Sequence, residues 1–216
     1  VAWCLALPFL RSSEITGLNE QTTNSQNALA YVHQQLISEA KQRKTDDQAL
    51  ILMSHAHMQG SETSESERPI IIGNEEALST ALFDDVIDYV ALGHLHKPQK
   101  VGQAHIRYSG SPLPLSFSEI NYKHQIDPIQ TDESRFTFEP IYIPRPIKLH
   151  KIAGELTDVL AQIQTLAEGE ITEIDQREFV DIEYFTLVPP PPNLRQHIEE
   201  IIPKNRYRIV RIFRKR

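Results

Sequence analysis

YVALGHLH at residues 89–96 joins a short apolar run to a glycine and two histidines separated by one residue. A second segment upstream has the same order, because the apolar run Ala49–Met53 is followed at once by Ser54-His55-Ala56-His57. Side chains two residues apart in an extended chain point to the same side, and Gly93 permits a sharp turn. The two segments predict two buried strands that each end in a pair of imidazoles.

The flanking sequence alternates between strand-like and helix-like apolar patterns. The continuous apolar run Ala49–Met53 predicts a strand that is buried on both faces. The predicted elements of this region are a strand at Val1–Leu10, an amphipathic helix at Asn24–Arg43, the strand at Ala49–Met53, a helix at Glu75–Phe83 capped by Asn74, and strands at Val86–Leu92, Ile106–Ser109 and Arg135–Ile143. This order predicts an α/β layer, in which ligands bind at the carboxyl ends of the strands.

The segment Ile143-Pro144-Arg145-Pro146 predicts a domain boundary, because its two prolines exclude a helix and stiffen the chain. We therefore divide the chain into residues 1–143 and 144–216. The second part is predicted to be a small α+β domain with a βαβαβ pattern. Its predicted elements are Ile147–Ile152, Glu155–Ala167, Phe179–Phe185, a short helix capped by Asn193, and Tyr207–Phe213.

Composition limits the class of protein. The chain has 216 residues and a formal net charge of -7, and no run approaches the ~20 apolar residues that a helix needs to cross a bilayer. Cys4 is the only cysteine, so no internal disulfide can form, and this favours the reducing cytoplasm. We expect Cys4 to be a small buried side chain.

Basic residues are concentrated at the end of an otherwise acidic chain. The last thirteen residues contain seven Lys or Arg and no acid. Such a segment can bind the phosphates of DNA or an acidic partner, and it can equally be the solvated end of a strand. The candidate DNA-binding residues are Lys204, Arg206, Arg208 and Arg211.

The histidine pairs predict a metal site, because neutral imidazole is a good ligand for first-row metals such as Mn, Fe and Zn. His55, His94 and His96 are the candidate ligands, and His57 is either an outer residue of the site or merely exposed. A hydrolytic two-metal site also needs carboxylates, and the sequence contains no Asp-x-His or Gly-Asn-His motif. The other histidines are expected to be ordinary surface or strand-edge residues: His33, His105, His124, His150 and His197.

Gly93-His94-Leu95-His96 is similar to the last signature of the calcineurin-like metallophosphoesterases, and His55 matches their preceding histidine signature. The longer context resembles one family among them, the SbcD nuclease subunits of bacterial SbcCD DNA-repair complexes. The segments that carry this resemblance are Leu7–Leu10, Ser64–Arg68, Asp88–Gln99 and Arg107–Glu119, together with the βαβαβ end. The resemblance implies part of a metallophosphoesterase sandwich layer in residues 1–143 and an SbcD-type capping domain in residues 144–216.

The resemblance also implies an activity, cofactors and partners. It implies an enzyme of DNA repair, recombination and replication with double-strand 3'-5' exonuclease and single-strand endonuclease activity, dependent on two Mn²⁺ ions. In the family, the residue that matches His96 binds the first metal, and those that match His55 and His94 bind the second. The implied partners are DNA, an SbcC-type SMC-like ATPase and a second copy of the full-length protein.

No catalytic residue is assigned in this chain, because the acid/base histidine of the family belongs to N-terminal motifs that have no counterpart here. We therefore expect a truncated member of the family that is inactive alone. Two other functions stay open. One is a metallophosphoesterase that acts on small phosphoesters, and the other is a non-catalytic segment that binds DNA or a protein partner.

Overall fold

The structure is a computed structural model that describes residues 2–20, 22–67, 77–83, 85–132, 135–166 and 173–215. The chain divides into two compact units, Val1–Ile143 and Pro144–Arg216. Helices and sheets occur together, and the largest sheet has both parallel and antiparallel strands, so the fold belongs to the mixed α/β class. In this described part of the chain, no helix is both long and apolar enough to cross a bilayer.

The described part of the first unit contains nine strands and two helices. Its helices are α1 (Ser12–Ile15) and α2 (Ser25–Arg43), with 3-10 turns at Thr80–Leu82 and Phe117–Glu119. Its strands are β1 (Ala2–Leu7), β2 (Ala49–His55), β3 (Tyr89–Gly93), β4 (Gln99–Val101), β5 (Gln103–Tyr108), β6 (Gln125–Ile126), β7 (Ile129–Asp132), β8 (Arg135–Phe138) and β9 (Ile141–Tyr142).

The central sheet of the first unit has the strand order β1-β2-β3-β5-β4. β1, β2, β3 and β5 are parallel, and β4 is antiparallel to β5. The register of β2 and β3 places His55 beside Gly93. Because parallel strands have their carboxyl ends at one edge of the sheet, the two histidine segments leave the sheet at neighbouring points.

One face of this sheet packs against α2. Leu50, Leu52 and Val90 point to this face and are fully buried. His33 of α2 lies 2.8 Å from the hydroxyl of Ser54 on β2, which joins the helix to the sheet next to the histidine segment. The predicted helix and the predicted strand are both confirmed here, and β2 is two residues longer than predicted.

The N-terminus of α2 follows the local chemistry of its sequence. Asn24 is the N-cap, and its side-chain oxygen accepts a hydrogen bond of 2.8 Å from the backbone N–H of Asn27. This bond satisfies one of the amide donors that a helix leaves unpaired in its first turn. The predicted helix Asn24–Arg43 therefore differs from α2 only in including this N-cap residue.

The opposite face of β1 and β2 is open within the described residues. Met53 is 49% exposed, and the exposed Cys4 lies against it with its Sγ atom 3.5 Å from the Met53 Sδ atom. The prediction that Ala49–Met53 is buried on both faces is therefore wrong, and so is the prediction that Cys4 is buried. An apolar run indicates a strand, but it does not say how many layers cover it.

The predicted helix at Glu75–Phe83 is wrong over the part that the structure describes. Leu78 forms an isolated parallel bridge with Met58, and Thr80–Leu82 is a single 3-10 turn. The predicted cap at Asn74 and the first residues of the helix lie outside the described residues. Leu78 and Phe83 are buried in the core of the unit, so their apolar spacing reflects packing of irregular chain against the sheet.

The predicted strand Arg135–Ile143 is two strands with different partners. β8 pairs with β7, and β9 pairs with β6, both antiparallel. Pro140 lies between β8 and β9, and a proline has no amide proton to donate to a strand ladder. The alternating pattern correctly predicts strand structure in this segment, but it does not predict the break between β8 and β9.

The second unit is a parallel sheet with two helices, in the βαβαβ order that the sequence predicts. Its elements are β10 (Leu149–Glu155), α3 (Leu156–Gln164), β11 (Glu178–Phe185), α4 (Leu194–Ile201) and β12 (Tyr207–Arg214). The strand order is β10-β11-β12, with all neighbours parallel. The fully buried residues of its core come from α3, β11 and α4, and they are Val159, Ile163, Val180, Ile182 and Ile198.

Candidate functional site

Two histidine segments of the first unit meet at the carboxyl ends of β2 and β3. His55 is the last residue of β2, and His94 directly follows β3. Their ring centroids are 5.3 Å apart, and the ring centroid of His57 lies 6.5 Å from that of His94. The fold therefore brings together imidazoles that are about 40 residues apart in the sequence.

The backbone at the end of β3 is adapted to this close approach. A Cβ atom on Gly93 would lie 3.2 Å from Nδ1 of His55, so the glycine leaves space for the imidazole. His94 has a φ of 110°, the only positive φ outside glycine in the described part of the chain. Such a conformation costs a non-glycine residue about 1–3 kcal/mol and is concentrated at functional sites.

The imidazoles of His55 and His94 are mainly neutral at neutral pH. Burial, with smaller effects of the neighbouring His55 and His57, lowers the pKa of His94 to about 4. Partial burial also lowers the pKa of His55 below the ordinary value of histidine. Neutral imidazole keeps a nitrogen lone pair, which is the form that binds a metal. The donor chemistry of His55 and His94 therefore fits a first-row divalent cation.

His96 lies beside this cluster and is held by a buried carboxylate. Its Nδ1 atom is 2.8 Å from Oε1 of Glu119, whose side chain is fully buried. The Ser66 hydroxyl is 3.0 Å from the same Nδ1 and donates a hydrogen bond to Glu119. Burial alone would raise the pKa of Glu119, but hydrogen bonds from Ser66, the Leu115 N–H and His96 bring it below the ordinary value. His96 is close enough to His94 for the two imidazoles to interact electrostatically.

The loop that carries His96 is also fixed through its backbone. Glu67 accepts a hydrogen bond of 2.8 Å from the N–H of His96, and its other carboxylate oxygen accepts one from the N–H of Ser64. Ser66, Glu67 and Glu119 were not assigned a role from the sequence. The signal that could have identified them is that they belong to the same segments that carry the family resemblance.

The turn that carries His55 and His57 is held from β5. The hydroxyl of Tyr108 donates a hydrogen bond of 2.5 Å to the carbonyl oxygen of Ala56 and accepts one of 3.1 Å from the N–H of Met58. Burial raises the pKa of Tyr108, so its hydroxyl stays protonated and remains a donor. Tyr108 is a fourth residue to which the sequence pattern assigns no role.

Gly110 allows the chain after β5 to approach the His96 loop. Its φ is 82°, and a Cβ atom there would lie 2.5 Å from the carbonyl oxygen of His96 and 2.8 Å from Pro98. The next residue, Ser111, donates its N–H to the same His96 carbonyl at 3.0 Å. A side chain at position 110 would therefore break the contact between these two loops.

The described residues contain no group of three or more His, Cys, Asp or Glu side chains arranged to hold a metal ion together. The acids beside His96 are engaged elsewhere, since Glu67 binds backbone amides and Glu119 binds Ser66 and the His96 imidazole. The chain therefore presents imidazole donors that suit a first-row cation. It does not surround such a cation by itself within the residues described.

Two histidines that were expected at the surface or at a strand edge are buried. His33 is inaccessible to solvent, and it bonds through Nδ1 to the Leu29 carbonyl oxygen and through Nε2 to Ser54. His124 is 4% exposed, and its Nδ1 donates to the carbonyl oxygen of Ser111 at 2.9 Å. Both predictions are wrong, because polar groups of the fold supply hydrogen bonds that a sequence pattern does not show.

The candidate DNA-binding residues of the second unit fall into two groups. Arg211 makes two hydrogen bonds of 2.8 Å to the buried carboxylate of Asp181, and Arg206 binds Glu178 at 3.2 Å. These two arginines therefore join β12 to β11. The other two, Lys204 and Arg208, are exposed and have no acidic partner among the described residues. The Arg208 guanidinium lies 5.4 Å from the ring centroid of Phe179.

Comparisons with known proteins find similarity to SbcD-type nuclease subunits. Residues 145–216 match the SbcD C-terminal family model, described as the Type 5 capsule protein repressor C-terminal domain. The SbcD subunit of the nuclease SbcCD from Rhodobacter capsulatus is 33% identical over 175 residues, which cover 77% of this chain and 43% of the relative. The corresponding SbcCD nuclease subunit from Staphylococcus epidermidis is 33% identical over 159 residues, which cover 72% of this chain and 41% of the relative. The matches thus span less than half of the length of these relatives.

Proposed function

We propose a nuclease function for this chain, which is an SbcD-type segment corresponding to the C-terminal part of that family. Its relatives are named as subunits of SbcCD nucleases. In this proposal, residues 1–143 contribute to the metallophosphoesterase layer, and residues 144–216 form the capping domain. The substrate is the phosphodiester backbone of DNA.

The observation that carries the proposal is the meeting of His55 and His94, with ring centroids 5.3 Å apart at the ends of two neighbouring parallel strands. His55 and His94 would hold one Mn²⁺ ion, and His96 would contribute to a second. Bound cations of this kind polarise a phosphate and activate water for in-line attack. The lowered pKa values of His55 and His94, the space left by Gly93 and the strained backbone of His94 all support this assignment.

The remaining parts of the reaction are assigned to groups outside residues 1–216. The acid/base histidine and the carboxylates of the two-metal site are among them. We propose that the complete protein acts in the cytoplasm as a homodimer with an SbcC-type ATPase, on the ends of duplex DNA and on single strands. The single exposed Cys4, which has no partner cysteine, supports a reducing compartment.

A DNA-binding role of the second unit is favoured by one specific observation. Lys204, in the turn before β12, and Arg208, within β12, are exposed cations, whereas Arg206 and Arg211 are used in ion pairs. We assign the phosphate contact to the first two residues. This role is compatible with the nuclease function, because it positions a substrate without reacting with it.

The proposal is tested in the complete protein that carries this sequence, together with its SbcC-type ATPase. His94→Ala is expected to reduce Mn²⁺-dependent cleavage of linear duplex DNA at least about a hundredfold, because a metal ligand is removed. His197→Ala is the matched control, since His197 is exposed on α4, and it is expected to leave cleavage unchanged.

A second assay separates the alternatives. Wild-type protein is given bis(p-nitrophenyl) phosphate and linear duplex DNA in parallel reactions. Hydrolysis of the small ester with no cleavage of DNA would replace the nuclease by a small-phosphoester hydrolase. Full DNA cleavage by His94→Ala would remove the metal site from the proposal altogether.

A further inference from the structure

Glu119 is a fully buried carboxylate, so its stabilisation depends on hydrogen bonds from the surrounding protein. Oε2 accepts a hydrogen bond of 2.9 Å from the N–H of Leu115, and Oε1 accepts from the Ser66 hydroxyl and from Nδ1 of His96. An ionised group without such partners would be very unfavourable in the interior. The carboxylate is therefore kept in one position by donors from three separate segments of the chain.

The contact with His96 determines which ring nitrogen carries the proton. An ionised carboxylate can only accept hydrogen bonds, so the 2.8 Å contact requires a proton on Nδ1 of His96. In the neutral imidazole, Nε2 then keeps its lone pair. The Ser66 hydroxyl also faces Nδ1 at 3.0 Å, and because it donates to Glu119, it can only accept from the ring.

We propose that Glu119 is the positioning residue of His96: it fixes the tautomer with the proton on Nδ1 and the direction of the ring, so that Nε2 is presented to the cation. The inference rests on the proposed function, in which His96 binds a metal. Carboxylates that bind the second nitrogen of a ligating histidine increase its basicity and fix its orientation. The partner is supplied by the Phe117–Glu119 turn, 23 residues away in the sequence.

A second carboxylate–histidine pair in the same chain provides a comparison. Glu178 lies 2.5 Å from Nε2 of His150 and also binds the guanidinium of Arg206. That pair is partly exposed and belongs to the sheet of the second unit. Its carboxylate has a cation to neutralise it, so the structural role of the pair does not depend on the histidine. It serves as an internal control for the loss of a glutamate–histidine contact.

The experiment uses the 216-residue chain, labelled with ¹⁵N at histidine, without added metal. The ¹⁵N chemical shifts of His96 are expected to show a protonated Nδ1 and an unprotonated Nε2 in the wild type. Glu119→Gln is expected to produce a mixture of tautomers, because a carboxamide can accept from Nδ1–H or donate to an unprotonated Nδ1. Glu178→Gln is expected to leave the His96 shifts unchanged.

The second readout is Mn²⁺ affinity, measured by isothermal titration calorimetry of the same variants in the complete protein that carries this sequence. Glu119→Gln is expected to weaken binding about 10–100-fold, and Glu178→Gln is expected to change it less than about twofold. If Glu119→Gln does not fold, Ser66→Ala keeps the carboxylate and removes one of its donors. That variant is expected to retain the tautomer and to weaken binding by a smaller factor.

Each outcome separates this inference from the proposed function. A wild-type His96 with its proton on Nε2 overturns the positioning role whatever the metal affinity. A correct tautomer without any Mn²⁺ binding would contradict the metal site and leave the Glu119–His96 contact as a structural one. Unchanged shifts and unchanged affinity in a folded Glu119→Gln variant would also overturn the positioning role.

Discussion

The hydroxyl of Tyr108 donates a hydrogen bond of 2.5 Å to the carbonyl oxygen of Ala56, the residue between His55 and His57. The two residues are 52 positions apart, and both are buried. A side chain on β5 thus fixes the backbone that carries the imidazoles of His55 and His57. The stability of the fold and the geometry of the site depend on the same bond.

Tyr108→Phe is expected to lower the free energy of unfolding by about 1–3 kcal/mol, because the Ala56 carbonyl and the Met58 N–H lose a buried partner. Urea unfolding followed by circular dichroism measures this change. Tyr142→Phe is the control, since Tyr142 is 56% exposed, and it is expected to cost less than about 0.5 kcal/mol. Equal effects of the two variants would show that the Tyr108 hydroxyl contributes no more than a surface hydroxyl.

His94→Gly is expected to stabilise the metal-free chain by about 1 kcal/mol, because glycine adopts a φ of 110° without strain and this gain exceeds its entropic cost. His94→Ala keeps the strain and is expected to lack this gain. Both variants are expected to lose Mn²⁺ binding to the same extent. Thermal unfolding of the two variants measures the backbone strain, and calorimetry measures the loss of Mn²⁺ binding. If the His94→Gly chain is less stable than the His94→Ala chain, His94 is not strained in the native backbone.

Gly110→Ala is expected to destabilise the fold by at least about 2 kcal/mol, because the new Cβ atom would lie 2.5 Å from the His96 carbonyl oxygen at a positive φ. Gly60→Ala is a matched variant, with a φ of 80° and no atom within 4 Å of the new Cβ. Its cost is expected to be only about 1 kcal/mol, that of the backbone conformation. The difference between their urea midpoints measures the contact with the His96 loop, and its absence would argue against that contact.

Arg211→Ala is expected to lower the free energy of unfolding by about 2–3 kcal/mol, because it leaves the buried Asp181 carboxylate without its main cation. The arginine side chain is 54% exposed, which places the value below that of a fully buried pair. Arg208→Ala, in the same strand, is expected to cost less than about 0.5 kcal/mol.

We expect the opposite order of effects on DNA affinity, with Arg208→Ala having the larger effect and Arg211→Ala the smaller. Arg208→Ala is expected to weaken binding to every sequence and to reduce the slope of log affinity against log salt by about one. Arg211→Ala, tested at a temperature where it is folded, is expected to leave that slope unchanged. Fluorescence anisotropy with a labelled duplex at several salt concentrations decides between them, and equal slopes would remove Arg208 from the DNA contact.

Stability is expected to fall as the pH is lowered from about 6.5 towards 4. The folded chain lowers the pKa of His33, His55 and His94 from the ordinary value of 6.5, in His94 to about 4. In this window the unfolded chain binds protons that the folded chain does not, so protonation favours unfolding. Their full contribution to stability is present above pH 6.5.

Urea midpoints between pH 7.5 and 4.5 measure this dependence. His33→Gln is expected to make it shallower, because glutamine does not titrate and can still bond to Ser54. His197→Gln, on the exposed surface of α4, is expected to keep the wild-type dependence. A midpoint that rises on acidification would contradict the burial of these imidazoles.

The secondary structure could be predicted where one local pattern dominates. α2, β2 and the βαβαβ order of the second unit follow from apolar periodicity. The prediction of a helix at Glu75–Phe83 is wrong over its described part, because Leu78 and Phe83 are apolar for packing and not for helical periodicity. The exposure of Met53 could not be predicted either, since burial depends on which layers cover a strand.

The histidine motifs could be recognised from the sequence, and the assignment of His55, His94 and His96 as metal ligands stays a prediction. What the sequence did not indicate was the support around them. Glu119 is 23 residues from His96, and Tyr108 is 52 residues from Ala56, so neither pair forms a local pattern. Both contacts become apparent only from the tertiary positions of the loops.

The sequence by itself determined the SbcD-type relationship, the βαβαβ order of the second unit and the identity of the donor atoms, because these depend on residue type and short-range spacing. Only the tertiary structure decided that Arg211 serves a buried Asp181, that His33 is enclosed, and that Glu119 holds His96. Partners and burial are properties of atoms brought together by chain folding, and residues distant in the sequence carry no local signal of that proximity.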